Sequence, residues 1–194
     1  SKEILTIRRF TKEEATTGSQ AEDIKNYLLD QGFTKAGVAG IMGNIANESY
    51  PAFEPSSLEL RSINKSGITS DQYTMMVDSG GISRDEVIRS SAFGLYSGGR
   101  YGYGLCGFTD PTVKEYLCRY TIDQGKSIGS VTGQLDGLLA YLDKYNPSLL
   151  KRLKKAEDPA TAASAFLREY EKCANIDQEE QERIAAAEDI FKRL

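Results

Sequence analysis

Histidine and tryptophan are both absent from this chain of 194 residues. Without histidine, the chain can form neither a Ser-His-Asp triad nor a Cys-His dyad. The usual zinc hydrolase site is excluded on the same ground, because such sites nearly always include histidine ligands. Catalysis would therefore use a carboxylate, tyrosine, lysine or arginine side chain, and we expect neither a metal ion nor another cofactor.

Cysteine is scarce. Cys106, Cys118 and Cys173 are odd in number and show no CxxC spacing, so they do not resemble the disulfide framework of a small secreted domain. We expect buried free thiols. A single Cys106–Cys118 or Cys118–Cys173 bridge is the alternative that the sequence leaves open.

Long apolar runs and an excess of positive charge are also missing. No segment approaches the roughly 20 apolar residues that span a bilayer, so we expect no membrane partner. The net charge is −4 and the pI is about 5.1, which argues against a nucleic-acid partner. No apolar signal-peptide core follows Ser1-Lys2-Glu3-Ile4, so an extracellular destination implies another export route or a piece of a larger protein.

The sequence does contain a clear helical pattern over most of its length. We interpret residues 1–18, which are polar and unpatterned, as an N-terminal arm or linker, and residues 19–194 as one domain. Helix start signals occur at Ser19-Gln20-Ala21-Glu22, Thr34, Asp110-Pro111, Asp158-Pro159 and Asp177-Gln178-Glu179-Glu180. The pattern weakens between residues 54 and 105. The prediction is therefore a mainly α (α+β) helical bundle with a small irregular or β-hairpin insert beside a substrate cleft.

Within the predicted insert, residues 71–77 and 84–91 have the pattern of two short helices. Near its end, five glycines fall within residues 94–104, which favours a loop or a hairpin. Farther along the chain, we expect a helix carrying Leu135 and Leu142 to stop near Pro147.

Glu48 lies at the end of a predicted helix, on its apolar face. Ile41 and Ile45 precede it by seven and three residues and so share that face. A carboxyl group held against apolar side chains loses hydration of its charged form, which raises its pKa. Glu48 is therefore our candidate general acid.

The segment from Tyr101 to Thr109 alternates glycine with large side chains. It is no phosphate loop, because no Gly-Lys-Ser/Thr follows and Asp110 would repel phosphate. Glycines let a backbone approach a ligand closely, and tyrosines offer flat faces and hydroxyl groups that suit sugars. A plain surface hairpin is the alternative.

The order of these motifs carries a resemblance. A helix ending in Gly-Asn-x-x-x-Glu-Ser is followed by Gly-Tyr-Gly-Leu and then by the segments Ser127-Ile128-Gly129, Gln134-Leu135-Asp136 and 165–171. In this order the chain resembles the phage tail lysozyme family, whose members carry a lysozyme-like peptidoglycan-cleaving domain at a phage tail tip. It is more distantly similar to goose-type lysozymes and lytic transglycosylases.

The resemblance implies that Glu48 is the catalytic acid and that Ser49 supports the cleft. It also implies bacterial peptidoglycan as the partner, other tail or tail-tip proteins as further partners, and a location on the virion tail or at the cell wall. The residues that we expect to contact substrate are Ser49, Tyr101, Tyr103, Gly104, Phe108, Thr109 and Tyr170.

The chain departs from the family pattern after Gly104-Leu105. Where the family usually continues with Gln-Trp-Thr, this chain has Gly107-Phe108-Thr109, and Tyr170 lies near a position where tryptophan is common. The predicted activity is a muramidase acting on the β-1,4 bond between N-acetylmuramic acid and N-acetylglucosamine. The alternatives are a lytic transglycosylase, a glycan-binding or structural tail module, and an unrelated helical interaction domain in which Glu48 only caps a helix.

Overall fold

The computed structural model describes residues 19–49, 51–92 and 100–194. The predicted arm at residues 1–18, and Gly94, Gly98 and Gly99 of the predicted glycine-rich loop, lie outside the described residues. Within these ranges the fold is mainly α-helical, as predicted, and the β-type pairing consists of two isolated bridges, Leu58–Tyr103 and Tyr103–Phe108. In the same ranges, no helix has the length and apolar character that crossing a membrane requires.

The described residues form ten α-helices, which we number in chain order. They are α1 Ser19–Asp30, α2 Lys35–Glu48, α3 Leu60–Ser66, α4 Ser70–Asp78, α5 Arg84–Arg89, α6 Pro111–Tyr120, α7 Val131–Tyr145, α8 Pro147–Lys154, α9 Pro159–Phe166 and α10 Ile176–Phe191. A short 3₁₀ helix, Ile122–Gln124, follows α6, and a π-helical turn, Leu167–Glu171, follows α9.

Local capping explains where several helices begin. The Thr34 hydroxyl accepts a hydrogen bond from the Gly37 amide at 3.1 Å, and the Asp158 carboxylate accepts one from the Thr161 amide at 2.8 Å. Helix α7 ends at Tyr145, close to Pro147 as predicted, and Pro147 itself begins α8. Its missing N–H and fixed φ suit the first turn of a helix, and Asn146 caps that turn.

The predicted irregular or β-hairpin insert instead contains three short helices. Helices α4 and α5 confirm the two predicted around residues 71–77 and 84–91, and both begin with a complete capping box. Helix α3 is not apparent in the sequence, because it has only seven residues and its N-cap residue, Glu59, makes no side-chain capping bond.

The three cysteines are free thiols, as expected, and neither alternative disulfide is present. Cys106 and Cys118 are buried, whereas Cys173 is only partly buried. Burial raises the pKa of Cys118 to about 12, so this side chain remains a neutral thiol that packs as a small apolar group.

Helix α2 is the centre of the domain. Its residues from Ala36 to Ala46 are all buried, so the helix is enclosed on every side rather than along one stripe. It packs closely against α9 and α10. A Cβ atom at Gly40 would lie 2.4 Å from the Cβ of Ala162, and one at Gly43 would lie 2.8 Å from the carbonyl oxygen of Arg183. Glycine at these positions therefore allows the backbones to touch.

Gln134, on α7, connects the segment from Tyr101 to Thr109 to the rest of the domain. Its side chain is fully buried. The Leu105 amide donates to its Oε1 at 2.9 Å, and its Nε2 donates to the carbonyl oxygens of Pro55 at 2.7 Å and Ile128 at 2.8 Å. One side chain thus satisfies three backbone groups from separate segments, including the segment that lies above Glu48.

Gln134→Leu is therefore expected to destabilise the domain by about 3 kcal/mol, because it leaves three buried backbone groups without their partner. Urea unfolding measures the loss. The matched control is Gln181→Leu, at an exposed position of α10, where we expect a change within about 0.5 kcal/mol. A loss below about 1 kcal/mol for Gln134→Leu would contradict this role.

Candidate active site

Glu48 is the last residue of α2, and the chain changes direction directly after it. Ser49 is extended, with φ −103° and ψ 145°. Its hydroxyl donates to the Ile45 carbonyl oxygen at 2.9 Å and accepts from the Phe53 amide at 2.8 Å. Ser49 is buried, with 4% of its surface exposed. It therefore supports the end of α2 from within, and the expectation that it contacts substrate is not met in this conformation.

The Glu48 carboxylate faces two different neighbours. Oε1 accepts a hydrogen bond from Nη2 of Arg183 at 2.5 Å. Oε2 points toward Gly107, where a Cβ atom would stand only 3.2 Å away. About a quarter of the Glu48 side chain, 24%, is exposed. The carboxyl group is thus held on one side by a cation and reaches solvent beside a residue that has no side chain.

Arg183 belongs to α10 and is almost completely buried, with 3% of its side chain exposed. Its Nη2 also lies 2.8 Å from Oε2 of Glu179, one helical turn earlier. A buried guanidinium requires charged partners, and here two carboxylates share it. The sequence shows Glu179 and Arg183 only as an ordinary i,i+4 pair. The approach of Arg183 to Glu48, 135 residues away, is created by the fold alone.

Burial raises the pKa of Glu48, and the nearby charge of Glu179 raises it further. Arg183 acts in the opposite direction through its charge and its hydrogen bond, but the pKa remains raised overall. Glu171 is a third carboxyl group at this site. Burial, followed by the charge of Glu48, holds its pKa well above its usual range. Glu48 can therefore carry a proton at a higher pH than an exposed glutamate can.

A tight turn brings Gly107 over the acid. The Phe108 amide donates to the Tyr103 carbonyl oxygen at 2.8 Å, and the Tyr103 amide donates to the Phe108 carbonyl oxygen at 3.1 Å. Residues 104–107 form the turn between them. Gly104 and Gly107 adopt φ values of +89° and +53°, in the left-handed region where glycine carries no penalty. The Thr109 hydroxyl donates to the Gly107 carbonyl oxygen at 2.6 Å, so it also serves this turn.

The side chains of Tyr101, Tyr103 and Phe108, which we expected to flank bound sugars, do not lie at the surface in this conformation. All three side chains are buried, with at most 2% of their surface exposed. The Tyr101 hydroxyl is hydrogen-bonded to that of Tyr73 at 2.9 Å, and the Tyr103 hydroxyl to that of Thr74 at 2.7 Å. These rings form the core beneath the turn, because their large apolar faces are stabilised by burial.

Tyr170 differs from Tyr101, Tyr103 and Phe108 because it is only partly buried. It lies on the π-helical turn Leu167–Glu171, and single π-helical turns are frequent at functional sites. Burial raises the pKa of the Tyr170 hydroxyl well above its usual range, and the charges of Glu171 and Glu48 add to the effect. Tyr170 directly precedes Glu171, the third carboxyl group of the site, and its contact with substrate stays a prediction.

A mainly α-helical domain whose buried central helix ends in a carboxyl group of raised pKa, beneath a glycine turn, has the architecture of a lysozyme-like domain. The model of the phage tail lysozyme family matches residues 19–194 of this chain. The chain therefore belongs to that family, which confirms the resemblance and implies peptidoglycan-cleaving, lysozyme-like activity in general terms. A comparison with curated protein sequences finds no match.

Proposed function

We propose that this chain is a muramidase of a phage tail, which cleaves the β-1,4 bond between N-acetylmuramic acid and N-acetylglucosamine with Glu48 as its general acid. The observation that supports it most directly is the placement of Glu48. Burial raises the pKa of its carboxyl group, yet 24% of the side chain remains accessible and Oε2 faces Gly107. The tail location and other tail proteins as partners belong to the same proposal and rest on the family.

The burial of Glu48 and its hydrogen bond from Arg183 act at different stages of proton transfer. The protonated carboxyl group donates its proton to the leaving glycosidic oxygen as the bond between that oxygen and the sugar C1 breaks, through an oxocarbenium-like transition state. Glu48 then becomes a carboxylate with the Arg183 guanidinium 2.5 Å away. A water molecule from the solvent bonds to C1, and the proton that it loses returns to the Glu48 carboxylate. Burial thus favours the protonated form of Glu48 before the reaction, and Arg183 stabilises the negative charge that appears during it.

The state of the neighbouring carboxyl groups favours a lytic transglycosylase as the second candidate. A hydrolase of the usual type needs a second ionised carboxylate, as base or nucleophile. Glu179 is one carboxyl group whose charge acts on Glu48 and on Glu171. It is paired with Arg183. Burial raises the pKa of Glu171 well above its usual range, which disfavours the ionised form that a base or nucleophile requires. A transglycosylase uses a hydroxyl group of the substrate instead.

Analysis of the product ends separates the two candidates and tests the function. Purified bacterial cell walls are digested with the protein, and the released muropeptides are examined by mass spectrometry. We expect free reducing ends at N-acetylmuramic acid. Anhydro-muramyl ends would establish the transglycosylase instead. Soluble products of neither kind, with retained binding to the walls, would overturn both and leave a glycan-binding module.

A further inference from the structure

Five tyrosines form a continuous row of ring contacts outside the core, which we call the tyrosine ladder. Its members are Tyr116 and Tyr120 on α6, Tyr141 and Tyr145 on α7, and Tyr170 on the π-helical turn. The ring centroids lie 6.0 Å apart for Tyr170–Tyr141, 4.9 Å for Tyr141–Tyr145, 5.7 Å for Tyr141–Tyr116 and 6.5 Å for Tyr116–Tyr120.

We propose that the tyrosine ladder is a binding surface for the glycan strand, which extends from the site of cleavage along α7 and α6. The ligand is a β-1,4-linked N-acetylhexosamine polymer, bound by the sugars that lie beyond the scissile bond. This inference deepens the proposed function and rests on it, because Glu48 defines the end of the ladder at which cleavage occurs.

The ladder begins on the π-helical turn beside the site. Tyr170 directly precedes Glu171 on that turn, and the preceding helix, α9, packs against α2, which ends in Glu48. The Tyr170 ring contacts Tyr141 edge-to-face, with an interplanar angle of 72°. Tyr145 follows Tyr141 by one helical turn, so both rings project from the same face of α7. The row therefore runs from the π-helical turn through Tyr141 to the exposed ring of Tyr145.

Exposure distinguishes the ladder from tyrosines that only fill the core. Tyr145 is 54% exposed and the other four rings are partly buried. The core tyrosines, by contrast, are fully buried and have hydrogen-bonded hydroxyl groups, as Tyr73 and Tyr101 show. In the described part of the chain, no side-chain hydrogen bond occupies the hydroxyl groups of Tyr141 and Tyr145. Packing alone does not require exposed rings with unused polar groups.

The chemistry of a tyrosine row matches that of an amino-sugar polymer. A pyranose ring presents an apolar face of C–H groups, which packs on a flat aromatic ring, while its hydroxyl and acetamido groups need polar partners at the edge. Arg119 lies over the Tyr116 ring, 4.7 Å from its centroid, and so covers part of that ring. Tyr141, Tyr145 and Tyr170 are therefore the principal contacts.

Tyr145→Ala tests the ladder, because this ring is exposed and its removal leaves the core intact. Binding is measured by calorimetry in the Glu48→Gln background, with the hexamer and the dimer of N-acetylglucosamine as probes. We expect the hexamer to bind about 3- to 10-fold more weakly than in the Glu48→Gln parent. The dimer, which is too short to reach beyond the cleft, should bind within about two-fold of the parent.

Two matched variants complete the experiment. Phe191→Ala removes another exposed aromatic ring, 38% exposed and outside the ladder, and should leave hexamer binding unchanged. Tyr145→Phe keeps the aromatic face and should retain most of the affinity. Unchanged hexamer binding by Tyr145→Ala, or an equal loss of affinity for hexamer and dimer, would contradict the proposal that the tyrosine ladder binds the glycan strand.

The outcome for the ladder is separable from that for the acid. Binding in the Glu48→Gln background does not depend on cleavage. With Glu48 intact, Tyr145→Ala should raise KM for cell walls and leave kcat within about two-fold, since the ring is remote from the reacting atoms. If Glu48→Gln still cleaved walls, the general acid assignment would fail while a length-dependent loss of binding would continue to support the ladder.

Discussion

Replacement of Glu48 by glutamine is expected to lower the rate of wall cleavage by about 10²- to 10⁴-fold, the usual contribution of a general acid. Glutamine has the same size as glutamate but cannot supply the proton. Its amide can still accept the hydrogen bond that Arg183 donates to Oε1, so we expect the fold to be retained. Turbidity loss of purified cell walls measures the rate, and circular dichroism checks the fold.

The control for this variant is Glu188→Gln, which makes the same chemical change at an exposed position of α10. Its activity should equal that of the parent. Wall cleavage by Glu48→Gln within a few-fold of the parent rate would remove Glu48 from the mechanism.

Replacement of Arg183 by methionine should have the second-largest effect, in both rate and pH dependence. The carboxylate formed during proton transfer loses a charge-assisted hydrogen bond, so we expect kcat to fall by about 10- to 100-fold. Activity requires protonated Glu48 and is therefore lost as the pH rises through the pKa of that group. Because Arg183 lowers this pKa, its removal should shift the basic limb of the pH–rate profile to higher pH.

Glu179→Gln should shift the pKa of Glu48 in the direction opposite to that of Arg183→Met. The charge of Glu179 raises the pKa of Glu48, and Glu179 also shares the Arg183 guanidinium. Its neutralisation should therefore move the basic limb to lower pH. A purely structural role for the pair would reduce activity at every pH and leave the limb in place. Shifts of both variants in the same direction would contradict the electrostatic account.

Stability requires a separate control for Arg183→Met, because removal of one partner from a buried ion pair typically costs about 3–5 kcal/mol. Arg183→Lys retains the positive charge and should restore part of the activity, though not all of it, because an ammonium cannot reproduce the shape of the guanidinium. If Arg183→Met does not fold, Glu179→Gln still tests the direction of the pKa effect.

The part of the site that depends on local sequence could be predicted. Thr34 marks the start of α2, its apolar residues have helical spacing, and Glu48 follows on the same face. The glycine turn could also be anticipated, since Gly104 and Gly107 adopt backbone conformations that other residues avoid. These features depend on residues within a few positions of one another.

The remaining features of the site depend on contacts between segments that are distant in the sequence. A tyrosine in a glycine-rich segment has the same local pattern whether its ring is buried or exposed, so the sequence could not assign Tyr101 to the core. Arg183 reaches Glu48 only because α2 and α10 pack together. The rings of Tyr116, Tyr141 and Tyr170 likewise meet only after three separate helical segments have assembled.

The glycines of α2 have a consequence for how such an enzyme can evolve. A Cβ at Gly43 would lie 2.8 Å from the carbonyl oxygen of Arg183, so main-chain contact aligns the acid with its cation. The Cβ of Ala187 borders the same contact, 3.0 Å from that position, and leaves no room for a larger side chain, so the spacing of the pair cannot widen gradually without separating the helices. The charge around the pair remains variable, since Glu179 is 30% exposed. Adaptation of the acid to a host niche of different acidity would therefore proceed through substitution of the surrounding charges, while the helix spacing stays constant.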